Sequence, residues 1–135
     1  MAANNVYTAL KFAIQNNSVI HPLLGHYVGG TIPLVSCGVL AETETGLPAL
    51  TMRMEGLDEL NPTYGDESFI ILVSASTEIE ASIVARAIIS EYGDGSANQD
   101  GYAMSFTSNG LGSIINPTAN SIDIPISMRV IYRRD

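Results

Sequence analysis

The side chains best suited to metal or nucleophilic chemistry are few in this chain of 135 residues: two histidines, His21 and His26, and one cysteine, Cys37. The histidines lie five apart in one glycine-containing loop, with neither HxxxH nor HxH spacing. Zinc takes at least three protein ligands. No third ligand completes the pattern, so both are expected to be ordinary loop histidines. Cys37 lies inside the apolar run LVSCGVL, where a thiol is expected to be buried and inert. As the sole cysteine it forms no intrachain disulfide and no cysteine-based zinc site.

Asp94-Gly95-Ser96-Ala97-Asn98-Gln99-Asp100-Gly101 invites comparison with a calcium loop. With Asp94 at the first position, Ser96 and Asn98 fall acceptably at the third and fifth. The sixth position must be Gly and is Gln99; the twelfth should be a bidentate Glu and is Ser105. A flexible polar loop is the expectation. The glycines at 93, 95, 101, 110 and 112 fit neither GxGxxG before a helix nor GxxxxGK[ST]. Carboxylate pairs at Glu42/Glu44, Asp58/Glu59 and Glu78/Glu80 sit in polar turns or at a helix start, not in the apolar setting that raises a catalytic pKa. No enzyme, no cofactor and no metal site are expected.

Charge is more informative. Fourteen acidic residues against six basic ones give a net charge of −8, which argues against a generic binder of nucleic acid or anionic membrane. Half of the basic residues, Arg129, Arg133 and Arg134, fall in the last seven positions. A cationic end on an anionic molecule has two readings. It is a solvated strand edge protected by charge, or a contact to an acidic face of a neighbouring subunit. Under the second, the candidate interface residues are Arg129, Arg133 and Arg134 on one side. On the other are Glu55, Asp58 and Glu59, together with Asp66 and Glu67.

These residues must be positioned by a fold. Length, 46% hydrophobic and 15% charged residues point to one globular domain, residues 1–135, rather than a disordered chain. No run of 18 apolar residues marks a membrane span, and MAANNVYTALKF lacks the pattern of a secretory signal. A first helix is expected over 4–16, its apolar face built from Val6, Ala9, Leu10, Ala13 and Ile14. Strands are expected near 34–40 and 48–55. SFIILVSA, 68–75, is expected to be a central strand covered on both faces. Thr77 and Glu80 form a capping box for a helix over 77–92, with Ile79, Ile83, Ala87, Val84 and Ile88 as its apolar face. Gly93 would close it in a left-handed conformation. Flexible loops are expected at 17–33, 56–67 and 93–121, the last with at most a weak hairpin. Ser121 to Arg134 alternates as a long strand whose Pro125 marks an edge or bulge. The order predicts an α+β fold: an antiparallel or mixed β-sheet flanked by an N-terminal helix and a helix at about 77–92.

The order VYTALKFAI, glycine-containing loop, LPALTMRMEG, FIILVSASTEIEASIVARAIISEY and IPISMRVIYRR resembles the tail-terminator, or tail-completion, proteins of tailed bacteriophages. The similarity covers most of the chain as a pattern of elements and hydrophobic positions; the 93–121 segment and the His21–Gly30 loop depart from it. The resemblance implies a virion protein that forms a homohexameric ring, caps the tail tube and joins it to the head or neck. Its partners would be the tail tube protein and a neck (connector, head-completion) protein. DNA would pass through the ring without specific binding, and there are no catalytic residues to carry over. The alternative is a non-viral α+β module binding a small molecule or peptide, with His21–Gly30 as a pocket wall.

Overall fold

The computed structural model describes residues 6–25, 35–37, 48–54, 64–112, 115–118 and 121–134. The unbroken alternation that ends the sequence forms its longest strand, β7 (Ser121–Arg134), and the sheet is built outwards from it. On one side β7 pairs antiparallel with β3 (Tyr64–Ala75) along the whole of β3. On the other it pairs antiparallel with β5 (Tyr102–Leu111) and then β6 (Ile115–Thr118). Beyond β3 come β2 (Ala49–Met54), antiparallel, and β1 (Val35–Cys37), parallel to β2. Beyond β5 lies β4 (Ser96–Gln99). The order is β1-β2-β3-β7-β5-β4, with β6 on β7, a mixed sheet of seven strands.

Among the described residues two α-helices complete the α+β fold: α1 (Val6–Gln15) and α2 (Glu78–Tyr92). Helix α1 packs on both β1 and β4, which end the sheet path, so the sheet curls around its helices. Alternation fixes what faces them. Phe69, Ile71, Val73 and Ala75 of β3 are buried, as are Ile124, Ile126, Met128, Val130 and Tyr132 of β7. They form one core with Val6, Ala9, Leu10 and Ile14 of α1. Burial of such apolar area is the main force holding the layers together. Edge-on aromatic pairs join the layers, Tyr92 of α2 meeting Phe106 of β5 at 5.3 Å between centroids.

Several expectations are corrected. Strand β3 is not covered on both faces: Ile70, Leu72 and Ser74, on the side away from the helices, are only half-buried. The buried face of α2 is Ala81, Val84, Ala85, Ile88 and Tyr92, while Ile79 and Ile83 are 73% and 51% exposed. The N-cap holds, with Glu80 N–H donating to Thr77 Oγ1 at 3.2 Å. Gly93 is right-handed, φ −61°, so it is no left-handed stop. Glycine fits there for space, since a Cβ would lie 2.4 Å from the Ile89 carbonyl oxygen.

The described part of 93–121 is not a flexible loop: it holds β4, β5 and β6, and the hairpin that the sequence allowed there is the β4–β5 pair. Asp100 and Gly101, both at positive φ, make the two-residue turn between β4 and β5, the geometry that an Asp-Gly pair favours. The polar cluster considered for calcium is this hairpin. Pro125 lies inside the sheet rather than at its edge. Its carbonyl accepts from Gly112 N–H at 2.8 Å. In an antiparallel strand the missing N–H therefore faces the same neighbour. That neighbour is interrupted there: β5 stops at Leu111 opposite Ile126, and β6 resumes at Ile115 opposite Asp123.

The described part of the expected 17–33 loop is packed. It contains a short 3-10 turn, His21–Leu23, flanked by buried Ile20 and Leu24. Of the expected 56–67 loop, 56–63 lie outside the described residues, and Tyr64 to Glu67 belong to β3.

Candidate functional site

Strand parity decides where the terminal arginines go. Arg129 and Arg133 lie on the outer face of the sheet, away from the helices, in phase with exposed Ile131. Arg134 has the opposite phase. Its guanidinium lies over the ring of buried Tyr102, 5.1 Å from the centroid, a cation–π contact. The cationic end expected from sequence is therefore divided between the two faces.

Two of the residues expected at an interface, Arg129 and Asp66, pair with each other within the chain. Arg129 Nε donates to Asp66 Oδ1 at 2.6 Å, and the second guanidinium nitrogen pairs with Oδ2. The two are diagonal neighbours, Asp66 standing opposite Ile131 and Ser68 opposite Arg129. The hydrogen bond to Arg129 holds the Asp66 carboxyl below its ordinary range and raises the guanidinium of Arg129. The side chains are 52% and 44% exposed, so solvent screens the pair and it contributes little to stability. Glu67 has the helix-side phase and is half-buried. Glu55, Asp58 and Glu59 lie outside the described residues.

The outer face also carries exposed apolar side chains. Tyr64 stands opposite Arg133, and Ile131 is beside them; Tyr64 and Ile131 are 63% and 53% exposed. Sequence reasoning missed Tyr64 by placing it in a loop. Ile131 carried a signal, an isoleucine in the polar phase of an alternating strand. The second exposed apolar feature is on α2. Ile79 and Ile83, one turn apart, form a ridge flanked by Glu78, Ser82 and Arg86. Beside it a shallow groove runs between Ile83, Glu80 and the Pro22–Leu23–Pro48 wall.

The polar cluster at the helix ends is structural. Asn17 Oδ1 accepts from Val19 and Ile20 N–H at 2.9 and 3.1 Å, while its Nδ2 donates to Glu91 Oε1 and Tyr92 Oη, both at 3.1 Å. Tyr92 Oη reaches the Ala13 carbonyl at 3.4 Å, tying α1 to α2. Burial pushes the Tyr92 hydroxyl pKa upward. His21 Nδ1 lies 3.0 Å from the Gln15 carbonyl oxygen, a local backbone contact. His26 lies outside the described residues, and Cys37 lies on β1. Among the described residues no group of three or more His, Cys, Asp or Glu side chains is placed to hold a metal, and no helix is long and apolar enough to cross a membrane. No protein-family model matches the chain, and no curated protein is significantly similar to it.

Proposed function

We propose that the chain is a ring-forming structural subunit of the tail-terminator type, which caps a phage tail tube and joins it to the neck. The observation that carries this reading is the outer sheet face: neither α1 nor α2 covers it, and Ile131 and Tyr64 are exposed there beside Arg133. Exposed apolar side chains grouped with charge mark interaction sites. Identical acidic copies supply the complementary partner, and a head-to-tail contact closes into a ring where the rotation permits. The element order, the basis of the likeness to tail terminators, accompanies it. In this reading six copies form the ring, with the tail tube protein on one side and the neck protein on the other. A net charge of −8 lets DNA pass without adhering, because carboxylates and phosphates repel. The protein is then a virion component assembled in the host cytoplasm.

Negative-stain microscopy of the purified protein, alone and with isolated tail tubes, tests the reading. Rings, free or seated on tube ends, are expected. Particles that neither form rings nor join tubes would overturn it. The groove beside Pro22, Leu23 and Ile83 favours the alternative of a small-molecule or peptide-binding module, which predicts monomers in both preparations.

A further inference from the structure

We infer that the open edge of β4 pairs antiparallel with β4 of a second copy of this chain, with the two-fold axis at Ser96. The inference stands apart from the ring-subunit reading, which uses the outer sheet face. Strand β4 ends the sheet path and has β5 on one side only. Along an antiparallel ladder, residues alternate between bonding to the neighbour and pointing away from it. Gly95 accepts from Phe106 N–H at 2.9 Å and Gly93 from Ser108 N–H at 2.6 Å, so the odd positions bond to β5. The N–H and C=O of Ser96 and Asn98 therefore point to the open side, as does the Asp94 carbonyl, which lies between those of Gly93 and Gly95. Among the described residues none bonds to these groups. Asp94, Ser96 and Asn98 are all exposed, while Ala97 packs on the core. The strand carries no lysine, proline or bulge of the kind that blocks strand addition.

This edge is complementary to itself. A hydrogen-bonded antiparallel pair needs outward residues on both strands, and a two-fold axis at Ser96 meets that condition. Ser96 then faces its own copy. Asp94 of each strand faces Asn98 of the other, a carboxylate beside a carboxamide donor, and the two Asp94 carboxylates are kept at opposite ends of the ladder. An axis at Ala97 would instead set Asp94 opposite Asp100, and like charges directly opposite destabilise a sheet. An axis at Asn98 runs the pairing into the Asp100-Gly101 turn, and one at Gly95 runs it into the end of α2. Side-chain chemistry thus selects both the partner and the register. The contact continues the sheet from one molecule into the next. It is isologous and closes at two copies, so it is the form of the free chain and engages neither Tyr64 nor Ile131.

Cross-linking reads the register and sedimentation reads the contact. Ser96→Cys and Asn98→Cys are each made in a Cys37→Ser background. At the axis the two Cα atoms of position 96 stand about 5.5 Å apart, within the reach of a disulfide, whereas those of position 98 are about 14 Å apart. Mild oxidation should therefore join Ser96→Cys into dimers and leave Asn98→Cys monomeric. In analytical ultracentrifugation the wild-type chain should shift with concentration from its 14.4 kDa monomer mass toward twice that value, and Ser96→Pro should abolish the shift. Proline there removes the two central bonds but spares the ladder to β5, because the Ser96 N–H points away from it. Circular dichroism checks that this variant is folded, and the cysteine variants do not depend on it. A wild-type chain that is monomeric at every concentration overturns the contact, as does Ser96→Pro that associates like the wild type. Cross-linking of Asn98→Cys that equals that of Ser96→Cys overturns the register and with it the inference. Rings that form equally in the wild type and in Ser96→Pro, without cross-linking of Ser96→Cys, remove the edge contact and leave the ring reading standing. A dimer that Ser96→Pro abolishes, beside tail tubes that stay bare, does the reverse.

Discussion

Replacing Asn17 by alanine should loosen the junction on which the placement of α2 depends. Asn17 makes four hydrogen bonds: it accepts two backbone N–H groups of the turn after α1 and donates to Glu91 and Tyr92 at the end of α2. A typical intramolecular hydrogen bond contributes about 0.5–1.5 kcal/mol net, and less where water replaces the partner. The bond to Val19 is exposed, and Glu91 can turn to solvent, so those two count for little. The bonds to Ile20 and to buried Tyr92 carry most of the effect. The loss is therefore about 2 kcal/mol. At about 2.1 cal/mol/K of unfolding entropy per residue, a 135-residue domain should then melt about 7 °C lower. Asn17→Asp separates the two halves of the effect. It keeps the oxygen that holds Val19 and Ile20 N–H but loses the amide donor and places a carboxylate beside Glu91. Calorimetry of the three proteins is the assay. A melting temperature for Asn17→Ala within about 1 °C of the wild type would refute this account of the junction.

Two pH arms follow from the shifted groups. Tyr92 has its pKa raised above 10.0 by burial, so stability is complete below that pH and falls as pH rises past it, because the unfolded chain ionises first. Urea unfolding at alkaline pH should show this loss, reduced in Tyr92→Phe. Asp66 is held below 3.8, so the stability that it contributes is present above that pH and is lost as pH falls through its folded-state value. Added salt should shrink this acid arm, since the pair is exposed. At Gly65, an added Cβ would stand 2.6 Å from the hydroxyl oxygen of buried Tyr132 and 2.7 Å from its ring. Gly65→Ala should cost about 1–3 kcal/mol through overpacking; equal urea midpoints for the variant and the wild type would count against that packing.

Period and caps made much of the fold legible. The phase of β7 and the Thr77 cap need only local chemistry, and both stand where alternation and hydrogen-bonding chemistry place them. The misread elements depend on what lies across the sheet. Residues 69–73 are continuously apolar, so sequence alone could not reveal that only the Phe69, Ile71 and Val73 side faces helices. In α2, Ile79 and Ile83 are as apolar as Val84 and Ile88, and two overlapping stripes compete at 3.6 residues per turn. The sheet selects Ala81, Val84, Ala85, Ile88 and Tyr92, and small residues at two of these positions let the helix approach closely. In 93–121, polar composition concealed the turn signal of Asp100-Gly101 between short β4 and long β5.

The candidate site was legible as a list of residues but not as a surface. Composition located an excess of arginine at the end of the chain, yet parity separates Arg134 from Arg129 and Arg133, and register turns Asp66 into the partner of Arg129 within the chain. The parity is local alternation, but the Asp66 pair joins residues 63 positions apart, which no local pattern encodes. Arg133, on the same outer face, stands opposite exposed Tyr64 and beside exposed Ile131. Apolar area then matters more than charge at this surface, because rim ion pairs contribute little on their own. In the ring reading charge sets orientation, while exposed Ile131 and Tyr64 supply the area to be buried. Arg133→Glu alone should accordingly slow ring assembly and alter its salt dependence, whereas Ile131→Glu, which puts a charge in the apolar area, should abolish it; sedimentation of the two variants across a salt series is the check, and equal effects would refute the ranking.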